Sequence, residues 1–183
     1  MPNFYRSMVE RFGGKTPLSP EAEYVLQAFE TAYKTAAGDL EVSKLRRDGL
    51  NKKIAENSKK VPLDYHLQDA DKQKLTELEN EISEQLRVAL AAAQKYVAEL
   101  KKAGRNAGAV ELKINKMFSE LKARQEKVGG LLRGLGVTTM QMDGWAKESS
   151  ESGSSVEEKM HGERVEKAKS EWLKNQKVLS GGD

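Results

Sequence analysis

Imidazole chemistry in this chain rests on two residues, His66 and His161. A helical metal motif needs a second imidazole three or four positions from the first, and these two lie far apart in sequence. Asp69 follows His66 by three residues and Glu157 precedes His161 by four, but with 28 Asp and Glu residues such neighbours arise by chance. No carboxylate pair stands out as a general acid and base for the same reason. The chain has no cysteine, which excludes thiolate metal ligands, thiol nucleophiles and disulfides. The hydroxyls of Ser149–Ser155 have no histidine placed to activate them. Gly14, Lys15 and Thr16 match the end of a phosphate loop, but Val9 stands where its first glycine belongs, and the preceding residues read as helix rather than strand. No catalytic residue, no cofactor and no metal site is expected.

Charge offers the next candidate chemistry. The 31 Lys and Arg residues nearly balance the 28 acids, so the net charge of +3 does not point to nucleic acid. Local blocks are stronger. Lys44–Lys60 is basic, Asp64–Glu84 acidic and Arg87–Lys127 basic again. A chain that folds back at Pro62 lays the first two blocks side by side, which satisfies them internally. The third block includes Lys95, Lys101, Arg105, Lys113, Lys116 and Arg124 with almost no interleaved aromatics for base stacking. Nucleic acid is therefore not the expected partner.

The elements that carry these residues are helical throughout. A composition 38% apolar, 32% charged, 6% aromatic and with only four prolines is that of long helices with narrow buried stripes. Ser19 can cap a helix that begins at Pro20, and from there Ala22, Val25, Phe29, Tyr33, Ala36, Leu40, Leu50 and Ile54 recur at helical spacing to about Ser58, with Ser43 and Arg47 in the gaps. Gly38 and Gly49 inside it read as bends or close packing points. Asp69 or Asp71 is the expected cap of the next helix, which runs to about Lys102. Its Leu75, Leu78, Ile82, Leu86, Leu90, Ala93, Val97 and Leu100 keep the clearest seam in the chain, with a stutter over Ile82–Leu90. Gly104 should end it in the left-handed conformation. A third helix from about Ala109 carries Ile114, Met117, Leu121, Val128, Leu131 and Leu135, interrupted by Arg124 and loosened by Gly129 and Gly130.

The expected fold is all-α: an elongated antiparallel helical hairpin or coiled-coil bundle, with an amphipathic helix before it and a flexible linker to a C-terminal helix after it. The implied divisions are 1–14, the amphipathic helix; 15–137, the bundle; 138–155, the linker; and 156–183, a C-terminal amphipathic helix and tail. In the last, Val165, Trp172 and Leu179 share a face that needs a partner, in this chain or another, because a short helix is marginal alone. Thin seams with few large side chains favour self-association, so a homo-oligomer is expected.

The N-terminal segment sets Phe4, Tyr5, Met8 and Phe12 on one face, with Arg6 and Arg11 elsewhere, and Gly13, Gly14 and Pro17 detach it from the long helix. Such a face suits the bundle's own groove, a protein partner or an anionic membrane surface. The order of amphipathic N-terminus, glycine break, proline-containing linker over Phe12–Pro20 and long hairpin resembles the layout of membrane-remodelling proteins of the ESCRT-III and phage-shock type, and more loosely BAR domains. That resemblance covers about the first hundred residues and implies lipid contact. No stretch of about 18 apolar residues and no basic start with an apolar core occurs, so neither a spanning helix nor a secretory signal is expected. The resulting expectation is a cytoplasmic, non-enzymatic structural or adaptor protein that self-associates and binds protein partners through its terminal helices. A peripheral membrane protein anchored by the N-terminal helix is the alternative.

Overall fold

The computed structural model of the chain describes residues 17–60, 65–150 and 162–181. Over these residues it forms five helices and no strand: α1 (Pro20–Asn57), α2 (Tyr65–Lys102), α3 (Gly108–Gly134), α4 (Thr139–Ser150) and α5 (Glu163–Leu179). The fold is all-α. It divides into two compact units, Met1–Asn115 and Lys116–Asp183, and the division falls inside α3. The expected single bundle over 15–137 is corrected accordingly, because α3 is shared between two separate cores.

In the first unit α1 and α2 form an antiparallel hairpin. Along α1 from Tyr33 through Ser43, Arg47 and Lys53 to Ser58, the partners on α2 step backwards from Tyr96 through Glu81, Glu79 and Asp71 to Gln68. The core is the seam of α2, where Ile82, Leu86, Leu90, Ala93, Val97 and Leu100 are buried and Leu75 and Leu78 half-buried, set against Leu26, Tyr33 and Leu40 of α1. Ser43 and Arg47 are not gaps in that seam. Ser43 is buried and donates to Glu81 Oε1 at 3.0 Å, and Arg47 Nε lies 3.8 Å from Glu79 Oε1. Val25, expected in the seam, is turned out to solvent, and Leu26 takes its place.

Local chemistry fixes the ends. Ser19 Oγ accepts from Ala22 N at 3.2 Å, with Pro20 opening the helix and Glu21 and Glu23 in its first turn. Neither Asp69 nor Asp71 caps α2, which already begins at Tyr65. Asp71 is instead buried, its Oδ1 accepting from Lys53 Nζ at 3.3 Å across the hairpin. Gly104 takes φ +65°, and Arg105 N donates back to Leu100 O at 2.8 Å, the left-handed closure expected there. Ala107, Val110 and Ile114 then close the hairpin's end over Val97, Leu100, Leu26 and Tyr96.

The second unit is built around Leu132, Val137, Met142, Trp145, Val165, Ala168 and Trp172. The register of α3 here differs from the expected one: Leu121, Gln125, Gly129 and Leu132 face inward, Val128 is half-buried, and Leu131 and Leu135 are exposed. Gly129 does not loosen the helix, which continues to Gly134. It is a packing point, since a Cβ there would lie 3.8 Å from the indole Nε1 of Trp172. Residues 139–150 fall in the stretch expected to be a flexible linker, and this is a second correction, because they form α4. Thr138 and Gln141 cap it reciprocally: Thr138 N donates to Gln141 Oε1 at 2.8 Å and Gln141 N donates to Thr138 Oγ1 at 3.2 Å. Met142 and Trp145 anchor it in the core.

Candidate functional site

The expected site residues fall into three groups. The seam residues Leu75, Leu78, Ile82, Leu86, Leu90, Val97 and Leu100 are occupied within the first unit, as is the half-buried Ile114. Leu121 is fully buried and Val128 packs on the core of the second unit. This seam holds the chain together and offers no free face. Val165 and Trp172 of α5 are likewise buried, and Leu179 is half-buried. The partner that α5 requires comes from its own unit: Gln125 Nε2 donates to Trp172 O at 3.0 Å and to Gln176 Oε1 at 3.2 Å, while Trp145 meets Trp172 edge to face at 6.5 Å. The third group, Phe4, Tyr5, Arg6, Met8, Arg11 and Phe12, lies outside the described residues, as do Gly13 to Thr16 and Pro62.

Among the described residues, groups capable of chemistry do not converge. His66 is exposed on the first turn of α2, and His161 and Glu157 lie outside the described residues. Among the described residues no three metal-capable side chains gather. The charge blocks meet each other. Lys53 pairs with Asp71 and Arg47 with Glu79, as the antiparallel hairpin of α1 and α2 requires. In the basic stretch over Arg87–Lys127, Arg87 reaches Glu84 at 2.6 Å, Lys101 reaches Glu111 at 2.6 Å, Lys102 reaches Glu99 at 3.0 Å and Arg124 reaches Glu120 at 3.9 Å. Four of the basic side chains in this stretch are thus paired with carboxylates.

Two groups in one corner of the hairpin have shifted titration. Burial pushes the Tyr96 hydroxyl above its ordinary range, and the nearby Glu30 carboxylate adds to the rise. Glu30 accepts a 2.5 Å ion pair from Lys34, and this hydrogen bond, with the carboxylate's charge, lifts the Lys34 ammonium as well. Tyr33 stacks on Tyr96 with ring centroids 5.8 Å apart. Ring burial and helix-surface pairing account for both shifts.

What remains is a surface. The face of α1 turned away from α2 carries Tyr24, Ala28, Thr31, Thr35, Gly38, Val42, Leu45 and Gly49, all exposed, at alternating steps of four and three residues. Tyr24 is 75% exposed and Leu45 69%. Charged residues occupy neighbouring positions of α1 but none of the eight in this stripe. Gly38 and Gly49 do not interrupt α1, and a Cβ at either would meet nothing within 4 Å. Each costs the helix about 1 kcal/mol relative to alanine, with no contact in this chain that requires it. Sequence reading passed over this stripe because its residues are mostly small. The signal was present in their spacing and in the absence of charge.

Among the described residues no helix is long and apolar enough to cross a membrane. Compared with family models, with curated proteins and with solved structures, the chain matches none.

Proposed function

We propose that this chain is a non-enzymatic helical scaffold that self-associates and binds protein partners. One observation carries the reading: Ser43, Arg47, Lys53 and Gln125 spend their polar groups on links between helices, whereas a regular uncharged stripe of α1 is left open to solvent. An exposed stripe of that regularity has the geometry of a helix–helix contact. The C-terminal helix takes no part in it, since its apolar face is spent inside its own unit. The cytoplasmic setting belongs to the same proposal.

The second reading, a peripheral membrane protein, rests on the amphipathic pattern of Phe4, Tyr5, Met8 and Phe12 with Arg6 and Arg11. Light scattering of the purified protein with and without anionic liposomes separates the two. The scaffold reading expects a particle larger than the 20.4 kDa chain and no vesicle binding. A monomer that co-sediments with the vesicles would replace it with the membrane reading.

A further inference from the structure

We infer that the open stripe of α1 is the self-association surface itself, and that it receives α1 of a second copy running antiparallel. The inference rests on the self-association proposed above and adds where and in which direction the copies meet.

The stripe is a second seam. Its positions are offset by two residues from the buried series Leu26, Tyr33 and Leu40, so on a helix of about 3.6 residues per turn it lies on the far side from α2. A partner can occupy it without disturbing the hairpin. Thr31 is prepared for such a contact, because its hydroxyl already donates to Gln27 O at 2.9 Å within its own helix.

Side-chain size sets the direction. In an antiparallel pair centred between Thr35 and Gly38, the layers are Tyr24 on Gly49, Leu45 on Ala28, Val42 on Thr31 and Thr35 on Gly38, each repeated by the two-fold axis. The large residues Tyr24, Leu45 and Val42 each face a smaller one, which is how facing positions fill space without voids. The two glycines find their use here: Gly49 receives the Tyr24 ring, and Gly38 lets the two backbones approach at the centre. A parallel pair would put Gly38 on Gly38 beside Val42 on Val42, leaving voids between crowded layers. Flanking charges favour pairing in either direction, with Lys34 opposite Glu41 of the second copy when antiparallel and opposite its Asp39 when parallel. Packing, not charge, decides.

The test uses the full chain. Sedimentation equilibrium should give twice the 20.4 kDa chain mass. Leu45→Glu should weaken dimerisation at least about ten-fold while leaving helicity unchanged, because the side chain it replaces is 69% exposed. Gly38→Leu, which overfills the central layer while favouring helix, should do the same. Because the chain lacks cysteine, oxidation can report direction. Ala28→Cys mixed with Leu45→Cys should cross-link, and neither alone should, since residue 28 lies about 25 Å from its own copy in an antiparallel pair. Efficient cross-linking of either single variant would mean a parallel pair and overturn the inference. A Leu45→Glu protein that stays as dimeric as the wild type would leave self-association standing and remove this seam. A monomeric wild type removes both. Dimerisation only after deletion of residues 1–14 would mean that the seam holds the chain's own N-terminal segment.

Discussion

The two units bury their apolar surface by different means. The hairpin repeats one aliphatic contact along α2, from Ile82 to Leu100, and threads the polar links of Ser43, Arg47 and Lys53 between the turns. The second unit concentrates its burial in two indoles, with Gln125 holding the backbone of α5 and Gly129 making room for Trp172. A repeated contact is redundant and a concentrated one is not. Single truncations should thus be tolerated along much of the hairpin, whereas the second unit depends on a few residues.

The largest effect expected is loss of the hairpin. Replacing Leu86 and Leu90, both fully buried, by aspartate places two carboxylates in the seam without partners, at several kcal/mol each. Far-UV circular dichroism should show most helicity gone at 25 °C. Wild-type melting in the double variant would mean that the seam is not the core.

Concentration in the second unit makes Trp172→Ala the next most severe change, at about 3–5 kcal/mol. Hydrogen exchange should then show lost amide protection over 121–134 and 163–179, with 26–57 and 75–102 retained. Equal loss in both ranges would mean that the two cores do not stand apart. A smaller effect, about 1 kcal/mol, is expected from Thr138→Ala, which removes one half of the reciprocal cap on α4. Faster exchange of the amides of residues 140–142 would show it, and an unchanged rate would mean that the cap is ornamental.

The smallest effect sharpens the hairpin side of the comparison. Tyr96 has a hydroxyl pKa raised in the folded state above 10.0, so its contribution to stability is present below about pH 10 and is lost as pH rises through the folded value. Alkaline denaturation above pH 10 should therefore be less steep for Tyr96→Phe than for the wild type. Identical profiles would mean that the hydroxyl titrates as in the unfolded chain.

The same contrast explains what could be read from sequence. The Leu75–Leu100 seam, the Ser19 cap and the Gly104 closure are legible because the residues that interact are neighbours within a few turns. The partner of α5 is not, since Gln125 and Trp172 meet across 47 positions and neither has a periodicity that names the other. The helix α4 was obscured by the Ser, Gly and Glu composition that follows it, although Thr138 and Gln141 carry the capping pattern and Met142 and Trp145 stand three apart. The stripe on α1 was hidden by the small size of its residues. Apolar periodicity weights large side chains, and a surface built for close backbone approach has few.

The placement of the indoles gives the chain a built-in optical separation. Both of its tryptophans, Trp145 and Trp172, stand in the second unit, with the Lys169 ammonium 4.7 Å above the Trp145 ring. Excitation near 295 nm therefore sees that unit alone, and tyrosine emission comes chiefly from the other, where Tyr24, Tyr33 and Tyr96 lie. A red shift on warming marks the opening of one core and is blind to the other, so an emission midpoint and an ellipticity midpoint on the same sample are two separate thermometers.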